Sequence, residues 1–181
     1  MVKRYVKKMK GQGHRSAPRP PMKEVFWSWF GSFLGIAAVA LLHWKWAEPS
    51  DLILIIASFG ASAVLIYGAI EAPLAQPRNL LGGHFLSALV GVACYQWMGS
   101  AMVLAAALSV SLAIAVMQLT KTLHPPGGAT ALIAVIGTDS VHNLGYLYAL
   151  VPALSGAMVM LVVALLVNNL APHRHYPKYW L

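Results

Sequence analysis

The sequence predicts an all-α polytopic membrane protein with about six membrane segments, two of them broken or short helices, and a candidate inverted 3+3 repeat. Three observations carry this. Hydrophobic residues make up 59% of the chain and charged ones 10%, with a mean hydropathy of +0.66, far from the balance of a soluble globular domain. Its 181 residues suffice for about six spans of roughly 20 residues each, leaving no room for a soluble catalytic domain. The stretch from Leu119 to Ala131 interrupts an otherwise apolar sequence with Lys121, His124, two prolines and two glycines.

Residues 1–23 form a basic arm. Eight of the thirteen Lys and Arg residues precede Phe26, and the first acid is Glu24. The arm has too few apolar residues to bury a core, so disorder is expected. The net charge of +8 is concentrated there, which favours cytoplasmic retention and contact with anionic headgroups over nucleic-acid binding. The long basic region, followed by a span-length apolar run without a convincing cleavage site, argues against a cleaved signal peptide. Cys94 is the single cysteine, in an apolar run, and is read as a packing residue.

The membrane domain is placed at 24–170, followed by a polar cytoplasmic tail at 171–181. Its first segment, Val25–Leu42, is bracketed by Trp27, Trp29, Trp44 and Trp46 at the two interfaces. A turn at Glu48–Asp51, with Ser50 or Asp51 as a cap, leads into Leu52–Ile70. A proline-bounded connection from Glu71 to Asn79 precedes Leu80–Met98. Gly99-Ser100 is barely a loop, so Ala101–Leu119 is an antiparallel neighbour of the third segment. The broken fifth segment restarts as a helix over Ala129–Gly137. Thr138–Asn143 then connects to Leu144–Val167.

Lys and Arg placement arbitrates between four and six spans. Six crossings put the arm, Arg78, Lys121, Arg174 and Lys178 on the cytoplasmic side and leave only Lys45 outside. Four crossings put Arg78 and Lys121 outside as well. The six-span arrangement, with both termini cytoplasmic, is the expectation. The short arm favours a bacterial inner membrane over an organelle.

The two halves, 25–98 and 101–170, carry matching runs. Gly60-Ala61-Ser62-Ala63-Val64-Leu65 aligns with Gly128-Ala129-Thr130-Ala131-Leu132-Ile133, and Ala88-Leu89-Val90-Gly91 with Ala153-Leu154-Ser155-Gly156. With three crossings each, the halves have opposite orientation, as in many transporters. Two helix starts then face one site near the midplane.

Such starts carry unpaired N–H groups and favour anions. The candidate site for a small inorganic anion therefore comprises Lys121, Arg78, His124, Gly127, Gly128, Thr130, Gly60, Ser62, His84 and Asn79. Each has an ordinary alternative. Lys121 can snorkel to headgroups, Arg78 can be a topological charge, and His124 can brace the helix break. His84 can cap a neighbouring helix, while Ser62 and Thr130 can back-bond within their own. No intramembrane carboxylate offers proton coupling, so His84 or His124 would have to supply it. No metal or cofactor motif and no catalytic constellation is present, so enzyme activity is not expected. The competing reading is a structural or regulatory membrane protein whose Gly/Ala surfaces support packing or homo-oligomerisation.

The His124-Pro125-Pro126 motif resembles that of the HPP family of integral membrane proteins. Ser58–Ala63, Pro73–Asn79 and Gly82-Gly83-His84 extend the resemblance, which covers about Phe26 to Val167. Members in chloroplasts and cyanobacteria are associated with nitrite transport, so the resemblance implies that nitrite is the anion. The family is often described with four membrane helices, fewer than the count expected here.

Overall fold

Proline marks where three of the helices begin. In this computed structural model, which describes residues 2–9, 16–48 and 54–181, Pro21 directly precedes α2 (Met22–Leu42), while Pro77 and Pro125 are the first residues of α4 (Pro77–Met98) and α6 (Pro125–Ile136). A first-turn N–H has no helical acceptor, so proline loses nothing there, and its fixed φ suits the helix. The preceding Gln76 and His124 are extended, as a residue before proline prefers.

A short helix, α1 (Val2–Met9), lies within the arm expected to be disordered. α2 continues through a π-helical turn to Ala47. The next helix, α3 (Ser58–Ala63), likewise runs on to Gly68. α5 is Met102–Leu119, α7 is Asp139–His142, and α8 is Ser155–Leu170, entered through the kinked segment Ala149–Leu154. The described residues are all-helical in character, and four helices among them are long and apolar enough to cross a membrane: Met22–Ala47, Pro77–Met98, Met102–Leu119 and Ala149–Leu170.

Several boundaries differ from expectation. The second segment becomes helical at Ser58 rather than Leu52; the cap residues Ser50 and Asp51 lie outside the described residues. Arg78 and Asn79 belong to the first turn of α4, not to a connection. α6 starts at Pro125, so both prolines and both glycines are helical and the break falls at Thr120–His124. The connection at Thr138–Asn143 contains α7, and the last long helix runs to Leu170. At 1.5 Å per residue, Ser58–Gly68 and Pro125–Ile136 span about 16–18 Å, against roughly 30 Å of hydrocarbon.

α4 is the central element, packed against α5, α6 and the segment leading into α8. Gly83, Ser87 and Gly91 recur every four residues on its buried face. Opposite them lie His124, Gly127 and Ala131, and this small-residue seam brings the two backbones together. A Cβ on Gly91 would lie 2.8 Å from Ala131 Cα and would also meet Ala131 O. Backbone cannot move aside as a rotamer can. Gly91→Ala is therefore expected to destabilise the fold by about 1–3 kcal/mol, read as a lowered unfolding midpoint in detergent with Gly68→Ala, where a Cβ meets open space, as the control.

One end of the bundle is tied by the C-terminal residues. Arg174 is 8% exposed and donates to Glu24 Oε2 at 3.0 Å, Glu24 O at 2.9 Å, Ser28 Oγ at 3.0 Å, and Tyr67 O and Asn168 Oδ1 at 3.2 Å. Tyr176 is buried with its hydroxyl on Ala75 O, and Lys178 N donates to Gln76 Oε1. The tail expected to be simply polar is thus a packed strap. Its outer contact, Lys178 with Glu71 at 2.8 Å, holds that carboxyl below its usual range through a hydrogen bond and charge. A lowered carboxyl value makes the contact present at neutral pH and lost as pH falls through the acid range. The other end brings Leu54 N to His43 Nδ1 and stacks Tyr95 on His142.

Candidate functional site

Four of the sequence-derived site residues meet in the interior. α3 supplies Ser62, α4 supplies His84, and α6 with its preceding residue supplies Thr130 and His124; all four have 0% exposure. Ser62 Oγ lies 2.7 Å from His84 Nε2 and 2.8 Å from His124 Nε2. His84 Nδ1 is 2.7 Å from Thr130 Oγ1, and His124 Nδ1 is 2.8 Å from Leu74 O. Thr130 Oγ1 also reaches Ser58 Oγ at 2.9 Å and Pro126 O at 3.3 Å. Ser62 and Thr130 hold equivalent positions in the two matching runs, and His84 bridges them.

The glycine pair before His84 explains how the cluster closes. A Cβ on Gly82 would lie 2.6 Å from Thr122 Cγ2, and one on Gly83 would lie 2.5 Å from His124 Cβ. Only bare backbone lets the 120–124 link rest on α4. Asn79 Nδ2 donates to Leu123 O at 2.8 Å and Arg78 Nη2 to Thr120 O at 2.9 Å, fixing that link. Arg78 thereby places positive charge on the C-terminus of α5, where the helix dipole favours it.

Lys121 sits at the left-handed position that ends α5, with φ 57°. Its N–H donates to Gln118 O at 3.2 Å and the next, Thr122, to Met117 O at 2.8 Å. This is a Schellman cap with lysine where glycine is usual. The exposed Lys121 side chain lines a recess of about 510 Å³ together with Arg78, Asn79, Gln118, Met117 and Leu123. Tyr179 and Leu181 of the strap form another part of its wall. No carboxylate side chain is among the lining residues.

A family pattern described as HPP, transmembrane region matches residues 17–177. The chain belongs to the HPP transmembrane family. Two transmembrane proteins of Dictyostelium discoideum are each 48% identical to it, over 180 and 179 residues. Each match covers 97% of this chain, but 63% and 57% of the respective relative. The HPP chain thus spans about three-fifths of the length of these relatives. No solved structure matches it.

The HPP motif itself does something other than expected. Its prolines supply no N–H at the first two positions of α6, and Gly127 N donates to His124 O at 2.8 Å. The start of α6 is therefore poor in free donors, and the expected helix-end anion site is not formed there. His124 is spent on Leu74 O and Ser62. Gly127 serves packing against Gly83 O and Ser87.

Gly60 and Gly128 also lie away from the cluster. Gly128 faces Val110. Gly60 lines a recess of about 710 Å³, a mostly apolar groove shared with Trp29, Phe33 and Val64 of α2 and α3. That groove has no chemistry beyond two serine hydroxyls, so its size does not make it the site. Sequence reasoning missed Ser58, although Thr130 and Ser58 lie 72 residues apart only in sequence. It also missed Tyr148, whose hydroxyl donates to Thr130 O at 3.1 Å. Ser87, one turn beyond His84, was likewise not singled out; it is fully buried with an unpartnered hydroxyl.

Proposed function

We propose that this protein is a multi-pass transporter of a small inorganic anion, with nitrite as the first candidate. The observation that carries the reading is the recess with two cationic side chains and no carboxylate side chain, whose lining residue Leu123 adjoins His124 of the buried cluster. Cationic side chains lining a recess attract a monovalent anion from water. The next residue, His124, belongs to the buried polar cluster. The proposal is passage without chemistry on the substrate.

Six crossings are part of this reading, and hydrogen bonds between chain ends support them. Arg174 gathers the start of α2 and the end of the second segment at one face, whereas Leu54 N bonds His43 near the other end of α2. Residues 54–68 then travel from one face to the other, the non-helical residues 54–56 adding to the reach of the short helix. The 120–124 link, a helix cap that ends in the extended His124, leads into α6. Two triplets of opposite direction follow, each with a short second member, which favours an inverted 3+3 repeat. Gly91 of α4 receives α6, and its counterpart Gly156, at the start of α8, receives Phe59 of α3. The start of α2, which follows the basic arm in the chain, Arg78, Lys121 and Arg174 share one end of the bundle, so we assign that face to the cytoplasm, with a bacterial inner membrane as the expected location.

Reconstituted protein should take up nitrite faster than empty vesicles at neutral pH, with chloride, nitrate and formate as competitors. Folded, oriented protein that moves none of them under imposed gradients would instead favour a scaffold held together by the α4–α6 seam. Ser87 gives a second check. An orphaned buried hydroxyl costs about 1–3 kcal/mol, so Ser87→Ala is expected to raise the unfolding midpoint. If that hydroxyl serves a dehydrated anion during passage, the same variant has a higher half-saturation concentration for nitrite; an unchanged value removes Ser87 from the path.

A further inference from the structure

The hydrogen-bond valences of the cluster determine where an extra proton can go. Leu74 O can only accept, so His124 carries its proton on Nδ1 and, when neutral, presents a bare Nε2. Ser62 must donate its single hydroxyl proton there, and its oxygen then accepts from His84 Nε2–H. Neutral His84 therefore has a bare Nδ1, to which Thr130 donates. Every group has one role, and both imidazoles are neutral.

Thr130 has an alternative that Ser62 lacks. Its hydroxyl proton can turn from His84 Nδ1 to Ser58 Oγ or Pro126 O, both within reach. Its oxygen can then accept from a protonated His84 Nδ1. A proton on His84 leaves every donor in the chain satisfied after one hydroxyl rotation. A proton on His124 Nε2 is accommodated only when His84 moves to its Nδ1–H tautomer: Ser62 then accepts from His124 Nε2–H and donates to the bare His84 Nε2, and the proton gained by the chain is again the one on His84 Nδ1.

We propose that His84 is the proton-carrying group of this transporter, taking one proton on Nδ1 with each anion, so that anion and proton move together one to one. The inference rests on the transport reading above. The proton comes from the aqueous side to which the cluster opens and is released on the other, leaving His84 neutral again. The imidazolium and the monovalent anion cancel, so the loaded state crosses without net charge. The titratable group facing His84 is His124, with ring centroids 5.1 Å apart. From the other elements come Ser58, Ser62 and the edge of Phe59 on α3, and Thr130 on α6 with Tyr148 bonded to its carbonyl. α5 and α8 have no Asp, Glu, His, Lys or Arg.

Two measurements on the full chain in lipid vesicles test this separately. In the first, nitrogen-15 NMR of labelled histidines, assigned with His84→Gln and His124→Gln, should show Nε2–H on His84 and Nδ1–H on His124 at alkaline pH. On acidification His84 Nδ1 should gain a proton, with the positive charge shared across the Ser62-linked imidazole pair. Thr130→Val removes the acceptor for the new proton and should lower the pH at which His84 charges by about one to two units, whereas Thr130→Ser should not. A His84 Nδ1 that stays unprotonated down to about pH 5 overturns the proposal whatever the flux. In the second, a roughly tenfold nitrite gradient should be balanced by about one pH unit of opposite sign, independently of membrane voltage. Nitrite flux that follows voltage and ignores the pH gradient overturns the coupling but leaves transport standing. No flux for any anion in vesicles of folded protein overturns both.

Discussion

Lys121→Gly should stabilise the protein and impair transport at the same time. A non-glycine residue in the left-handed region costs roughly 1–2 kcal/mol, and Lys121 occupies that region at the cap of α5 with φ 57°. Glycine relieves the cost, and the unfolding midpoint should rise by about 2–4 °C for a chain of this size. The recess meanwhile loses one of its two cations. A unit charge in a partly solvated recess is worth on the order of 1–2 kcal/mol to a nearby anion, so nitrite uptake at low concentration should fall about five- to thirtyfold. Lys121→Arg should restore uptake without the gain in stability. A glycine variant that transports like the parent would reduce Lys121 to an interfacial charge. Arg78→Gln should behave differently, losing stability as well as uptake, because Arg78 also binds Thr120 O at the end of α5.

Arg174→Ala should be the most damaging substitution outside the candidate site. Its guanidinium links the start of α2, the end of the second segment and α8 through five hydrogen bonds, and its side chain is 3% exposed. Removing one member of such a buried arrangement typically costs about 3–5 kcal/mol. Partial exposure of the Glu24 side chain, 30%, lets water recover some of this, so about 3 kcal/mol is expected. Loss of thermal stability in detergent, together with increased proteolysis after Leu170, would reveal a released strap. Arg174→Lys should recover only part of the loss, since an ammonium cannot span the same acceptors in the fork geometry of a guanidinium. An unfolding midpoint within a degree or so of the parent would show that the strap is not what holds this end together.

Much of the architecture could be read from residue order. Apolar runs located the four long helices, and the tryptophan pairs near positions 27–29 and 44–46 marked the ends of the first. Proline was misjudged: Pro77 and Pro125 were read as bounding or breaking helices, whereas each opens one. The error follows from treating missing N–H groups as a defect, which they are not in a first turn. The tail was misjudged because Arg174 and Tyr176 look solvent-loving until Glu24, Tyr67 and Ala75, far away in sequence, are brought beside them.

The candidate site divides in the same way. Sequence alone determined the membrane class, the broken stretch and the residues Ser62, His84, His124 and Thr130, because short apolar helices, glycine pairs and buried-type polar residues are local signals. Only the tertiary structure decided that these four form one hydrogen-bonded cluster while Arg78 and Lys121 line a separate recess, and that Gly60 and Gly128 belong to neither. The reason is physical. Composition and spacing state which groups are present and which turn of a helix carries them, but a hydrogen bond requires two groups within about 3 Å, and that proximity depends on where α3, α4 and α6 cross.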